Sequence, residues 1–230
     1  MTERPASLRI WDLPTRLFHW LLAACVAGAI VTVKLGGLWM DWHVRCGLAT
    51  LGLIAFRLAW GCVGPRYARF RQFLRGPRAV LRYLRGGEAG QAGHNPLGGW
   101  SVAAMLAVLG FQAVSGLFSN DDILTQGPLA HYVSEAASSA LTGLHQANAW
   151  LIYALVGLHL AAIGWYAVWR RKRLVRPMIS GDARREDCPP GALPAHDGPA
   201  VWLLAAAIAA GAAGLVWWIQ SLAPAAGSYY

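Results

Sequence analysis

The chain has 230 residues, of which 56% are hydrophobic and only 13% charged, whereas a soluble domain carries about 25% charged residues. A water-soluble fold of this size would therefore be short of polar surface. Twenty Lys and Arg against eleven Asp and Glu leave a net charge of +9, which alone would suit nucleic acid or an anionic membrane face; the low charge density and twelve Trp select the membrane and exclude nucleic acid.

A hydrocarbon core about 30 Å thick is crossed by about 20 apolar residues in a helix. Five stretches meet that length. No period-2 alternation supports strands, so the spans read as helices. The first covers about residues 14–33, with Pro14 where a first turn tolerates proline, and it contains His19. The second, about 43–63, opens on His43 and carries Arg57 near its end. A basic loop, 64–96, follows. Its arginines recur every three or four residues between Phe70, Phe73, Leu74, Leu81 and Leu84, the spacing of an amphipathic helix lying on an anionic membrane face. Gly76-Pro77 should break that helix in two. The third span is about 97–118. The loop after it, 119–142, has Asp121, Asp122 and Glu135 and no Lys or Arg. The fourth span, about 144–170, contains His145 and His159. A linker, 181–198, leads to an Ala- and Gly-rich fifth span, 199–222.

Basic residues set the orientation. Arg4, Arg9 and Arg16 precede or open the first span, the arginines of 66–85 follow the second, and Arg170, Arg171, Lys172, Arg173 and Arg176 follow the fourth. Lys34 and Arg45 are the only basic residues left for the other side. The N-terminus is therefore expected on the cytoplasmic side. The four cysteines form no C-x-x-C pair, so neither covalent haem attachment nor a zinc knuckle is indicated.

Histidine inside a membrane is costly unless partnered. One such residue reads as a structural hydrogen-bonding group, but four at these depths read differently. His145 and His159 are 14 residues apart in one helix, about 21 Å along its axis and close to one face. His19 and His159 should lie at one depth, and His43 and His145 at the other. Two neutral imidazoles facing each other suit a six-coordinate haem iron. Zinc usually takes three or four protein ligands, and a proton relay needs groups at hydrogen-bond distance. Gly47 and Gly143, close to His43 and His145, would let a flat macrocycle approach the backbone. Arg16 and Arg57 fall on the ligand faces of their helices, where each would either meet a haem propionate or snorkel to the headgroups. His94, His131 and His196 fall in loops, and His94 could line a quinone pocket.

The run Ile10-Trp11-Asp12-Leu13-Pro14-Thr15-Arg16-Leu17-Phe18-His19-Trp20, then His43-Val44-Arg45-Cys46-Gly47, Gly143-Leu144-His145 and Gly157-Leu158-His159, resembles the bacterial di-haem cytochrome b-561 family. That family includes the b-type cytochrome subunits of nickel–iron hydrogenases. The resemblance covers about residues 8–180. It implies an all-α integral membrane four-helix bundle holding two haem b, with axial pairs His19/His159 and His43/His145. It also implies quinone as substrate. The fifth span and a short first loop depart from the pattern and bear on partner choice.

The expected function is transmembrane electron transfer between the quinone pool and a periplasmic redox partner, a c-type cytochrome or a hydrogenase-like protein. No acid–base dyad, nucleophile or phosphate loop is present, so no catalytic residue is assigned. Two rivals stand beside it. One is a self-contained superoxide:quinone oxidoreductase. The acidic outer loop favours it less, because a small anion prefers a positive funnel. The other is a haem-free membrane anchor or transporter with structural histidines.

Overall fold

The computed structural model describes residues 7–87, 92–121 and 125–224; Arg4 and Asp122 of the charge pattern lie outside them. A short strand β1, Ser7–Arg9, precedes helix α1, Leu13–Leu35. Asp12 caps α1. Its carboxylate accepts the Thr15 backbone N–H at 2.9 Å and the Thr15 hydroxyl, satisfying donors that a helix start leaves open. Gly36 and Gly37, both with positive φ, end α1 and turn the chain through a 3-10 turn into α2, Met40–Val63. Gly64 and Pro65 stop α2, since proline cannot continue a helix. The basic segment then folds as a 3-10 turn, α3 (Phe70–Phe73) and α4 (Pro77–Leu84). The break falls at Gly76, with Pro77 in the first turn of α4.

Helix α5, Pro96–Gly116, is capped by Asn95, whose Oδ1 accepts the Gly98 N–H at 2.7 Å. Helix α6 runs Glu135–Val168. It starts well before residue 144, so the loop after α5 is shorter than the sequence alone implies. Apart from Leu141, residues 135–143 are polar or small and fall outside an apolar window, yet they favour helix. Ser134 Oγ accepts the Ala137 N–H, and Glu135 sits where the helix dipole favours an acid. Helix α7 (Val175–Ser180), β2 (Asp182–Arg184), a 3-10 turn and α8 (Pro199–Ser221) complete the chain. Among the described residues five helices are long and apolar enough to cross a membrane: Leu13–Leu35, Gly37–Val63 (a 3-10 turn and α2), Pro96–Gly116, Glu135–Val168 and Pro199–Ser221. The protein is an all-α multi-pass membrane protein.

The chain packs as two units. The first comprises the chain up to His19, Arg57–Met105 and Leu155–Ala207. In it, β1 pairs antiparallel with β2 in the register Ser7↔Arg184, Leu8↔Ala183 and Arg9↔Asp182. Gly181 makes the turn possible. Its φ is +89°, a Cβ there would come within 2.8 Å of the Trp11 carbonyl, and its own carbonyl accepts the Ile10 and Trp11 N–H groups. Leu8, Ile10, Trp11, Tyr67, Ala92 and Ala195 form the core of this cap. The stretch 181–198 is thus folded against the N-terminal strand instead of serving as a plain linker.

Asp197 fastens the cap. Its carboxylate receives Arg9, the Leu13 N–H and the Trp202 indole N–H, so one buried acid joins β1, α1 and α8. Burial pushes this carboxyl up, but the Leu13, Trp202 and Arg9 hydrogen bonds outweigh it and hold the group below its ordinary value. Because the folded value is depressed, the contribution is present above the unfolded value of about 3.9 and is lost as pH falls through the folded one. Asp197→Ala should therefore lower stability at neutral pH by about 1.5–3 kcal/mol. Thermal melts of detergent-solubilised protein should show the wild type losing part of its advantage at acid pH. An unchanged gap between the two proteins from pH 7 to below 3 would refute this role.

The second unit comprises Trp20–Phe56, Leu106–Ala154 and the chain from Ile208. Leu48, Leu117 and Ile219 form a buried cluster with Val44, Leu51 and Val216 around it. A Cβ on Gly52 would lie 3.1 Å from Val216 Cγ2, so α8 packs directly on α2. The loop after α5 folds back through Gly127 N–H to Ser119 O and Leu129 N–H to Leu117 O. Gly127 has no room for a side chain, because a Cβ would meet the carbonyls of Gly116 and Leu117.

Candidate functional site

Each unit holds one facing pair of histidines. In the first, His19 of α1 and His159 of α6 have ring centroids 6.4 Å apart, with planes at 50°. Arg57 of α2 lies in the same unit and is 3% exposed. Its guanidinium sits over Phe70 at 4.8 Å, and over Phe73 and Phe18 at 5.8 and 5.9 Å. Cation–π contact stabilises it, but its Nη1 is buried with no hydrogen-bond partner among the described residues. A buried cation left that way is costly, so the position calls for an anion. Gly61 makes the Phe70 contact possible, because a Cβ there would collide with that ring.

Arg16 is held differently. Its Nη1 donates to the Ile179 carbonyl at 2.6 Å, and Nη2 is 3.8 Å from Asp197; its Nε is buried with no partner among the described residues. His94 packs between Trp11 and Phe73, with centroids at 4.8 and 4.9 Å. Burial, then the charges of Arg57, His19 and His159, push its imidazole down to about 3, so it is neutral at physiological pH.

In the second unit, His43 of α2 and His145 of α6 have centroids 6.2 Å apart, with planes at 86°. His43 Nδ1 is 2.9 Å from the Ala29 carbonyl. A carbonyl only accepts, so Nδ1 carries the proton and Nε2 keeps its lone pair. His145 Nδ1 is likewise 3.0 Å from the Gln112 carbonyl, with Ser115 Oγ at 3.2 Å. Its Nε2 accepts from the Gln112 amide at 3.1 Å, and Gln112 Oε1 accepts in turn from Asn148 Nδ2 at 2.7 Å. The His145 ring lies close against α5 at Gly116: a Cβ there would be 3.0 Å from its Cε1, so the ring would have to give by a few tenths of an ångström. At Gly47 and Gly143 a Cβ would meet nothing within 4 Å, so both positions border open space.

Gln112, Ser115 and Asn148 were not singled out from the sequence. The available signal was their polarity inside apolar spans, and for Asn148 its place one turn after His145. Among the described residues no three His, Cys, Asp or Glu side chains gather; the donors come in twos.

A family model described as prokaryotic cytochrome b561 matches residues 10–181. No curated protein and no solved structure gives a significant match. The match takes in all four membrane histidines and three-quarters of the chain, leaving out α8. With an all-α membrane fold and intramembrane histidines set in facing pairs, the chain belongs to the prokaryotic cytochrome b561 family, whose members carry electrons across a membrane with haem b.

Proposed function

We propose that the protein carries electrons through two bis-histidine haems b, one held by His19 and His159 and one by His43 and His145. The quinone pool lies at one end and a periplasmic redox protein, a c-type cytochrome or a hydrogenase-like partner, at the other. The observation that carries the proposal is the ring separation. A metal–imidazole bond is about 2.0–2.1 Å and the ring centre lies about 1.2 Å behind the nitrogen, so two imidazoles on opposite sides of one metal would have centres about 6.4–6.6 Å apart. The pairs stand at 6.4 and 6.2 Å, the first at the lower edge of that span and the second about 0.2 Å short of it. Both ring planes can contain a shared axis at any mutual rotation, so angles of 50° and 86° are both compatible.

The haem would supply reversible one-electron chemistry; the chain supplies the rest. His43 and His145 each donate Nδ1–H to a backbone carbonyl, which fixes the tautomer and leaves the Nε2 lone pair for a metal. A ligand at His145 Nε2 would displace the Gln112 amide and leave the Nδ1–H bond intact. Gly47 and Gly143 leave the space a planar ring needs. Arg57, buried and short of one partner, suits a propionate. Arg16 offers its unpaired Nε, with its other nitrogens spent on the cap. The N-terminus is assigned to the cytoplasm of a bacterial inner membrane, on the basic residues of 66–85 and 170–176.

Reduced-minus-oxidised spectra of the purified protein, with haem quantitation, test the reading. Two b-type haems per chain are expected. A haem-free protein would sink the proposal, and one haem would mean that one pair is misassigned. Gly116→Ala should weaken haem retention at the His43/His145 pair by about tenfold or more, because the new methyl displaces the His145 ring. Retention equal to wild type in a haem-transfer assay would show that the ring has slack.

A further inference from the structure

Helix α4 presents a face that the electron-transfer reading does not use. Arg78, Arg82 and, at its C-terminal cap, Arg85 follow one another at intervals of four and three residues, which places them on one side. All three are exposed. Leu81 and Leu84 flank them, 48% and 63% exposed. The opposite side, Ala79, Val80 and Tyr83, is half-buried. Two bonds anchor this segment within its unit: the Tyr83 and Tyr166 hydroxyls pair, and the Trp100 indole N–H donates to the Arg75 carbonyl at 2.8 Å. Arg78, Leu81, Arg82 and Arg85, with Gly86 and Gly87, line an open groove. None of the three arginines has an ion-pair partner among the described residues.

Sequence continuity places this groove. Helix α2 ends at Val63 and α5 begins at Pro96, and both are long and apolar enough to cross a membrane. The segment between them therefore lies at one bilayer face. There, three unpaired guanidinium groups meet phosphates, and two exposed leucines beside them meet the start of acyl chains. A soluble anion would use the arginines and leave the leucines in water.

We propose that the α4 groove is a binding site for an anionic phospholipid of the surrounding bilayer, its phosphate held by Arg78, Arg82 and Arg85 and its upper acyl chain lying on Leu81 and Leu84. The site stands apart from the histidine pairs and does not depend on them. Each arginine near an anionic surface is worth about fivefold in affinity, so three together are worth about a hundredfold.

Native mass spectrometry of the intact protein, titrated with phosphatidylglycerol or phosphatidylcholine, tests the site. The wild type should retain phosphatidylglycerol preferentially. The triple variant Arg78→Gln, Arg82→Gln, Arg85→Gln should lose about a hundredfold in that affinity, and Arg82→Gln alone about fivefold. A control replacing Arg173, Arg176 and Arg184 by Gln should change it little. Equal retention of the two lipids by the wild type would overturn the proposal, as would an equal loss in the control. Displacement of the lipid by millimolar inorganic phosphate would also do so, because it would assign the groove to a soluble anion. Circular dichroism and gel filtration establish that the variants fold. If the triple variant does not, the single variant decides: unchanged affinity there refutes the site.

Discussion

His159→Ala is expected to give a folded protein holding about one haem per chain in place of two, with the remaining haem on His43 and His145. The reasoning starts from α6. That helix runs unbroken from Glu135 to Val168 and carries a member of both pairs, so a point change at residue 159 leaves His145 with its Nδ1 contact to the Gln112 carbonyl. His19 loses its facing ring at 6.4 Å, and a haem with one protein ligand is held far less tightly. The side chain removed is half-exposed or less, and its loss costs little packing, so the effect should fall on haem content and not on folding. The reciprocal change, His43→Ala, should spare the His19/His159 haem. Haem quantitation with the reduced spectrum decides. Loss of both haems from either variant, or of neither, would refute the pairing.

Asp12→Ala should cost about 2–4 kcal/mol of stability. Asp12 is completely buried, as is the Trp60 side chain that donates its indole N–H to it at 3.1 Å. Truncation removes the cap of α1 and strips the indole of its carboxylate partner, leaving Thr15 Oγ1 at 3.2 Å as the remaining acceptor. Burial pushes this carboxyl up and the Thr15 and Trp60 hydrogen bonds pull it back. Asp12→Asn, which keeps an acceptor oxygen, should recover about half of the loss. Trp60→Phe in the Asp12→Ala background should be milder than the two single effects added, because the donor that lost its carboxylate is gone. Melting temperatures of the four proteins in one detergent form the test. Additive effects would place the cost elsewhere than in this hydrogen bond.

Helices were legible where apolar length alone decides, as in α1, α5 and α8. The basic segment was legible too, because arginine spacing and Gly76-Pro77 are local signals. The start of α6 was not, since Ala136 to Thr142 carry no apolar stripe and their helicity comes from propensity and the Ser134–Glu135 start. Histidine facing was readable because helical rise and turn convert spacing into depth and face. What surrounds the rings was not. Gln112 reaches His145 from α5, a helix with no histidine, and that contact depends on tertiary packing. The cap was equally hidden. Nothing near Leu13 announces that its N–H is accepted by a carboxylate 184 residues away, and Arg16, a propionate candidate by sequence, turns out to bind the Ile179 carbonyl as well.

That distance has a consequence in time. Strand β1 and the start of α1 leave the ribosome ahead of β2 and Asp197, which follow only after four spans have been made. At about 5–20 residues per second the delay is on the order of 10–40 s. During it the first helix has its own Asp12 cap but no Asp197, and Arg9 has neither of its acids. The first helix must therefore enter the bilayer on its apolar length alone. The cap closes over it as a late step, which ties completion of the N-terminal end to arrival of the chain just ahead of α8.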